Sequence, residues 1–226
     1  MRIELTRLRA AVLFFSPMAK DTAWVQIRNE VRWLNAALGE ARDHDVTARY
    51  TRRKRYRRWA RGLRHRVLQV QEKAHRALAD VLLSTRYRRL MAALCQWITK
   101  GPWLRDGLAS RSEHVDVYSR VRLRAWRKRI SQRGRHLQTL RRAQVHRLRI
   151  QCKRYRYILA SLQGLGIAIR QQDLAFAETA KLVHQTLGDL RDLKRLRKTS
   201  RSRPPGYRRD KGKLLKQAQK ALSRRS

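Results

Sequence analysis

The sequence predicts an all-α protein made of two quasi-repeated antiparallel helical-bundle halves. Leu, Ala and Arg recur at three- and four-residue spacing along nearly the whole chain, and no segment shows sustained strand alternation. Breakers are sparse, with 10 Gly and 4 Pro among 226 residues. A motif order also repeats. Arg2, Ile3, Arg7 and Arg9 recur 147 residues on as Arg149, Ile150, Arg154 and Arg156. "LNAALGEARD" recurs 149 residues on as "VHQTLGDLRD", where Leu38, Gly39, Arg42 and Asp43 correspond to Leu187, Gly188, Arg191 and Asp192. Each half therefore reads as basic helix, break, helix, Leu-Gly-x-x-Arg-Asp turn, helix.

The elements follow from the breakers and caps. Pro17 ends a first helix that starts at Met1 and runs to about Ser16. Asp21 caps a second, running to Gly39. "ARDHDV" opens a third with Asp43 or Asp45 as its N-cap, continuing with a kink near Gly62 to about Leu83. Ser84 or Thr85 caps "RYRRLMAALCQWITK", which closes at Gly101. Residues 101–115 read as a linker, and long helices follow at roughly 116–142 and 144–163, the latter ending at "GLG". A helix at about 171–188 comes next, then a short one starting at Asp189 or Asp192. "SRSRPPGY" is a loop and "KGKLLKQAQKAL" a last helix. The expected organisation is one domain, 1–226, with a first half of about 1–100 and a second of about 116–226.

Apolar residues make up 42% of the chain, enough for a core, so it is no disordered basic tail. The net charge is +41, from 57 Lys and Arg against 16 Asp and Glu. Sixteen acids cannot pair 57 bases, so the usual explanation of a charge run, a solvated face laced with salt bridges, fails. A polyanionic partner is expected. Arg is abundant, and its planar fork favours phosphate oxygens. Cys95 and Cys152 lie in apolar helical contexts and read as small buried hydrophobes, with no disulfide framework, which fits a reducing cytosol. No signal peptide is recognised, and no apolar run approaches the ~18 residues of a membrane span.

The charge is organised. Val117–Gln172 holds sixteen Lys or Arg and no acid; Val46–Gln71 holds ten and none. In "VHRLRIQCKRYRY", His146, Arg149, Lys153 and Arg156 fall on one narrow helical arc. Leu148, Cys152, Tyr155, Leu159 and Leu162 form a neighbouring apolar stripe. Such a helix buries one stripe and lines a groove with the other. Four cations over about 15 Å suit a linear array of phosphates better than one small anion. The first copy carries Arg2, Thr6 and Arg9 on its arc, and Leu5, Leu8, Val12 and Phe15 on its stripe. Thr6 replaces a cation, and the counterpart of His146 would fall before Met1.

These motifs resemble the CHAD family, the conserved histidine α-helical domain. "VHRLRIQCKRYRY" looks like its His-x-x-Arg-x-x-x-Lys-Arg-x-Arg-Tyr helix, and "RLRAAVLFF" and "VRWLNAALGEARDHDV" are similar to its first basic helix and its Leu-Gly-x-x-Arg-Asp-x-Asp-Val segment. The resemblance implies two helical halves around a basic central channel. It also implies binding of inorganic polyphosphate and association with cytoplasmic polyphosphate granules. The implied contacts are Arg2, Arg9, His146, Arg149, Lys153 and Arg156, joined by Arg7 and Arg154. Arg42, Arg191, Arg52 and Arg53 form a second tier.

Other chemistries are poorly supported. The seven histidines show no metal-ligand spacing, and cationic surroundings oppose a metal, so no metal and no cofactor is expected. No Gly-rich phosphate loop or nucleophile elbow occurs, and the basic helices lack the clustered carboxylates of metal-dependent hydrolysis, so no enzymatic activity is expected. The rival partner is nucleic acid, bound without sequence preference. Tyr56, Trp59, Trp126, Tyr155 and Tyr157 interleave with arginines as stacking platforms would, although Trp59, Trp126 and Tyr155 read equally as core.

Overall fold

A computed structural model, which describes residues 1–19, 21–104, 114–200 and 202–223, realises the helical periodicity as α-helices with no strand among the described residues. The helices are α1 (Arg2–Phe14), α2 (Ser16–Ala19), α3 (Thr22–Arg52), α4 (Lys54–Arg57) and α5 (Arg64–Leu83). They continue with α6 (Thr85–Lys100), α7 (Val115–Gly134), α8 (Arg142–Gly164), α9 (Gln171–Lys198) and α10 (Tyr207–Ser223). The protein is all-α, as the sequence predicts. Most of the expected linker, residues 105–113, lies outside the described residues.

The chain divides into two compact units. One comprises Met1–Leu8, Phe15–Arg111 and Arg195–Pro205; the other comprises Arg9–Phe14, Ser112–Lys194 and Gly206–Ser226. In the first, α3 lies along α5 and α6. Asp21 caps α3 as expected, accepting from the Trp24 N–H at 2.7 Å, and it also accepts from Trp97 Nε1 at 2.9 Å. That one carboxylate positions Trp24 against Trp97, whose ring centroids are 4.9 Å apart. Ser84 caps α6, accepting from the Tyr87 N–H.

The second unit is built on α7 and α8. Leu148, Cys152, Tyr155, Leu159 and Leu162, the apolar stripe read from the sequence, are all buried, and Ile158 joins them. Burying a Leu or Ile side chain contributes about 1.5–3 kcal/mol, so this stripe is what holds α8 in place. The Tyr155 hydroxyl donates to Asp173 of α9 at 2.9 Å, and Arg127 Nε of α7 lies 3.4 Å from the same carboxylate. Burial, then Asp173, raises the Tyr155 pKa, keeping it a donor. Gln144 accepts from the Arg141 N–H at 2.7 Å and secures the start of α8. Gly166, at φ +74°, ends it, with the Ile167 N–H returning to the Leu162 carbonyl.

Several boundaries differ from expectation. The Leu-Gly-x-x-Arg-Asp segments are not turns. Gly39 and Asp43 lie inside the uninterrupted α3, and Gly188 and Asp192 inside α9. Asp43 and Asp45 cap nothing. Asp43 accepts from Arg195, while Asp45 accepts from Gln71 at 2.8 Å and meets His75 at 2.7 Å. These long-range partners absorb the carboxylates that local rules assign to capping. The kink expected near Gly62 is present as a 3₁₀ turn at Arg61–Leu63, and the helix ends at Leu83 as expected, but a further break at Arg53 sets off α4 before it. In α1 it is Phe14 that is fully buried, while Phe15 is half-buried. Cys152 is buried, and burial pushes its thiol up to about 12, but Cys95 is exposed, contrary to expectation; both are free thiols.

Candidate anion-binding cleft

With the apolar stripe of α8 buried, the adjoining arc is necessarily presented at its edge, about 100° around the helix. In the second unit this edge meets α9 and leaves a cleft of about 550 Å³ lined by Arg142, Ala143, Val145, His146, Arg149, Leu187, Leu190, Arg191 and Lys194. Leu187 and Leu190 are buried and form its apolar floor. The polar lining is cationic or histidine, and none of these lining residues is acidic.

The electrostatics record the crowding. Partial desolvation, then Arg149, Arg191 and Arg142, lowers the His146 pKa, so the ring favours its neutral form. Burial, then Lys211 and Arg142, lowers the Lys194 pKa. Arg149 passes directly over α9 at Gly188, where an added Cβ would lie 3.5 Å from its Nε. A methyl group there would make ordinary contact with the guanidinium. Gly39 has nothing comparable within 4 Å.

Further along α8 the arc continues with Lys153 and Arg156. Lys153 Nζ lies 5.4 Å from the centre of the Tyr157 ring. Arg156 Nη1 donates to His184 Nδ1 of α9 at 3.2 Å. Burial, followed by Arg149, Arg156 and Lys153, pushes the His184 pKa down to about 3. The ring is therefore neutral. Since Nδ1 accepts from Arg156, the proton resides on Nε2, a buried atom with no hydrogen-bond partner among the described residues.

The structure thus brings His146, Arg149, Lys153, Arg156 and Arg191 into one cationic edge. Arg154 is elsewhere: it lies on the far side of the buried stripe, half-buried, with Arg9 as its cationic neighbour. Arg2, Arg7, Arg42, Arg52 and Arg53 belong to the first unit. There Arg7 is exposed and donates to Glu4 at 3.1 Å, and Arg53 stands 4.1 Å from the centre of the Tyr50 ring. Thr6 donates back to the Arg2 carbonyl at 2.9 Å. Arg42 helps hold the Asp45 carboxyl low, together with His75 and Gln71, against the upward push of burial.

Sequence reasoning missed Arg142, His184 and Lys194. Arg142 extends the arc of α8 by one step of four. His184, Arg191 and Lys194 recur at steps of seven and three, a single helical face, but nothing in the sequence says that this face meets α8. Among the described residues, no group of three or more His, Cys, Asp or Glu is placed to hold a metal ion. No helix among them is long and apolar enough to cross a membrane.

Comparison with known proteins gives a consistent answer. The chain is similar to a crystal structure of the CHAD domain from the plant Ricinus communis, with 27% identity and a TM-score of 0.72, covering 99% of this chain and 80% of that one. No curated protein matches. The family model of the CHAD domain matches residues 1–201. The chain belongs to the CHAD domain family.

Proposed function

We propose that the protein is a non-catalytic binder of inorganic polyphosphate, held on polyphosphate granules in the cytoplasm. The observation that carries this is the cationic edge of α8 and α9. His146, Arg149, Lys153 and Arg156 run along about 15 Å of helix, Arg191 and Lys194 line the cleft with the first two, and no lining residue of the cleft is acidic. A ligand for this surface needs dense negative charge and no bases to be read. His184, neutral beside the same cations, accepts from Arg156 and fixes that guanidinium on the edge.

The aromatic residues weigh against nucleic acid as the main partner. Tyr56, Trp126 and Tyr155 are buried, Trp59 is half-buried against Tyr50, Tyr56 and Leu196, and Tyr157 is half-buried beside Lys153. A single-stranded nucleic acid gains about 1–3 kcal/mol per stacked base from exposed rings, and none of these five is fully exposed. The deciding experiment sets long-chain polyphosphate against single-stranded RNA at equal phosphate equivalents and about 0.15 M salt. Polyphosphate is expected to displace RNA. Displacement of polyphosphate by RNA would reject the proposal.

A further inference from the structure

The second unit holds another cationic cavity, and it shares no lining residue with the cleft. It measures about 170 Å³ and is lined by Leu13, Arg122, Trp126, Arg129, Ile130, Gln151 and Arg154. It lies between α7 and the face of α8 on the other side of the buried stripe. Three guanidiniums converge on it and no carboxylate lines it. Neither Arg129 nor Arg154 makes an ion pair among the described residues. Burial and then Arg9 lower the Arg154 pKa, the mark of a cation held without compensating charge. Gln151 contributes a buried Oε1 with no hydrogen-bond partner among the described residues. Turning the amide over places its NH₂ at the same point, as a donor to an anion.

The walls are tied to α1. Arg122 donates to the Leu13 carbonyl at 3.4 Å, and buried Trp126 stands edge-on to Phe14 with ring centroids 5.3 Å apart. One water needs only about 10–15 Å³ of such space, so the cavity admits a small ion with its nearest waters. It is less than a third of the cleft's size and too small for a run of phosphates.

We propose that this cavity is a discrete site for one orthophosphate-sized tetrahedral dianion, held by the forks of Arg122, Arg129 and Arg154 with the Gln151 amide. The site does not depend on the α8–α9 edge binding polyphosphate; it stands on a separate set of residues. A free phosphate ion and the terminal phosphate of a chain share this chemistry, and the experiment separates them.

The full chain is titrated calorimetrically with inorganic phosphate at pH 7.5, with ionic strength held constant by chloride. Acetate is the monoanion control. Saturable uptake of phosphate, but not acetate, is expected. It should survive in the Arg149→Gln, Lys153→Gln, Arg156→Gln triple variant. It should weaken about tenfold or more in Arg154→Gln, since a charge-assisted hydrogen bond is worth about 1.5–3 kcal/mol. Arg129→Gln, at an exposed position, provides the same readout if Arg154→Gln fails to fold. Pre-saturation with phosphate should leave the affinity for long-chain polyphosphate unchanged. Absence of saturable uptake, equal loss in the edge and cavity variants, or equal binding of acetate would overturn the assignment. Competition between phosphate and polyphosphate would also overturn it, because the cavity would then be the seat of a chain end.

Discussion

At the residue scale, His184 is the most informative side chain. It is neutral because burial and three cations oppose its protonation. In the unliganded protein its folded-state pKa, about 3, lies below the ordinary value of 6.5, so the unfolded chain binds the proton more readily. Its contribution to stability is present above pH 6.5 and is lost as pH falls from there toward 3. Binding of polyphosphate should run the other way, taking up protons as His146, on the cleft wall among Arg142, Arg149 and Arg191, becomes imidazolium. Affinity should therefore rise as pH drops from 8 to about 6. Calorimetry in buffers of different ionisation enthalpy measures the uptake directly. His146→Gln should reduce it, and an unchanged proton count in that variant would remove His146 from the site.

At the element scale, α3 and α9 carry the clearest tests of how the fold is assembled. Gly39 lies inside α3 with nothing within 4 Å of where a Cβ would stand. Gly39→Ala should stabilise the protein by about 0.5–1 kcal/mol in urea unfolding, as an alanine does in any helix interior. A turn at that position would give destabilisation instead. Asp173, 1% exposed at the start of α9, receives the Tyr155 hydroxyl and lies beside Arg127. Asp173→Ala strands both and should cost about 3 kcal/mol. The same helices show what was legible in the sequence. The buried stripe of α8 and its cationic neighbour could be read at once, because helical periodicity alone places Leu148, Cys152 and Tyr155 together and Arg149, Lys153 and Arg156 beside them. The Leu-Gly-x-x-Arg-Asp segments were misleading, because glycine and aspartate carry strong local signals for turns and caps. Here Asp43 and Asp45 are used by Arg195, Gln71 and His75, partners 26 to 152 residues away that no local rule can see. The opposite wall of the cleft was hidden for a related reason. His184, Arg191 and Lys194 share a face, but only the register of α9 against α8 makes it part of a site.

At the scale of the whole molecule, 57 basic and 16 acidic residues make the unliganded fold self-repelling. Raising sodium chloride from about 20 to 300 mM shortens the Debye length from roughly 20 Å to about 6 Å and should raise the melting temperature. Polyphosphate binding over the same range should weaken steeply. Global charge alone would produce both trends, so neither separates a defined site from a diffuse cation cloud. Position does. The Arg149→Gln, Lys153→Gln, Arg156→Gln variant and a control with Arg124, Lys128 and Arg133, all exposed on α7, replaced by Gln lose the same net charge. Arg127 and Arg129 are unsuited to the control, since one pairs with buried Asp173 and the other lines the second cavity. The measurement is the dissociation constant of each variant for long-chain polyphosphate at about 0.15 M salt. The edge variant should lose about a hundredfold or more, and the control less than about tenfold. Equal losses in the two would contradict the existence of a defined site on α8 and α9.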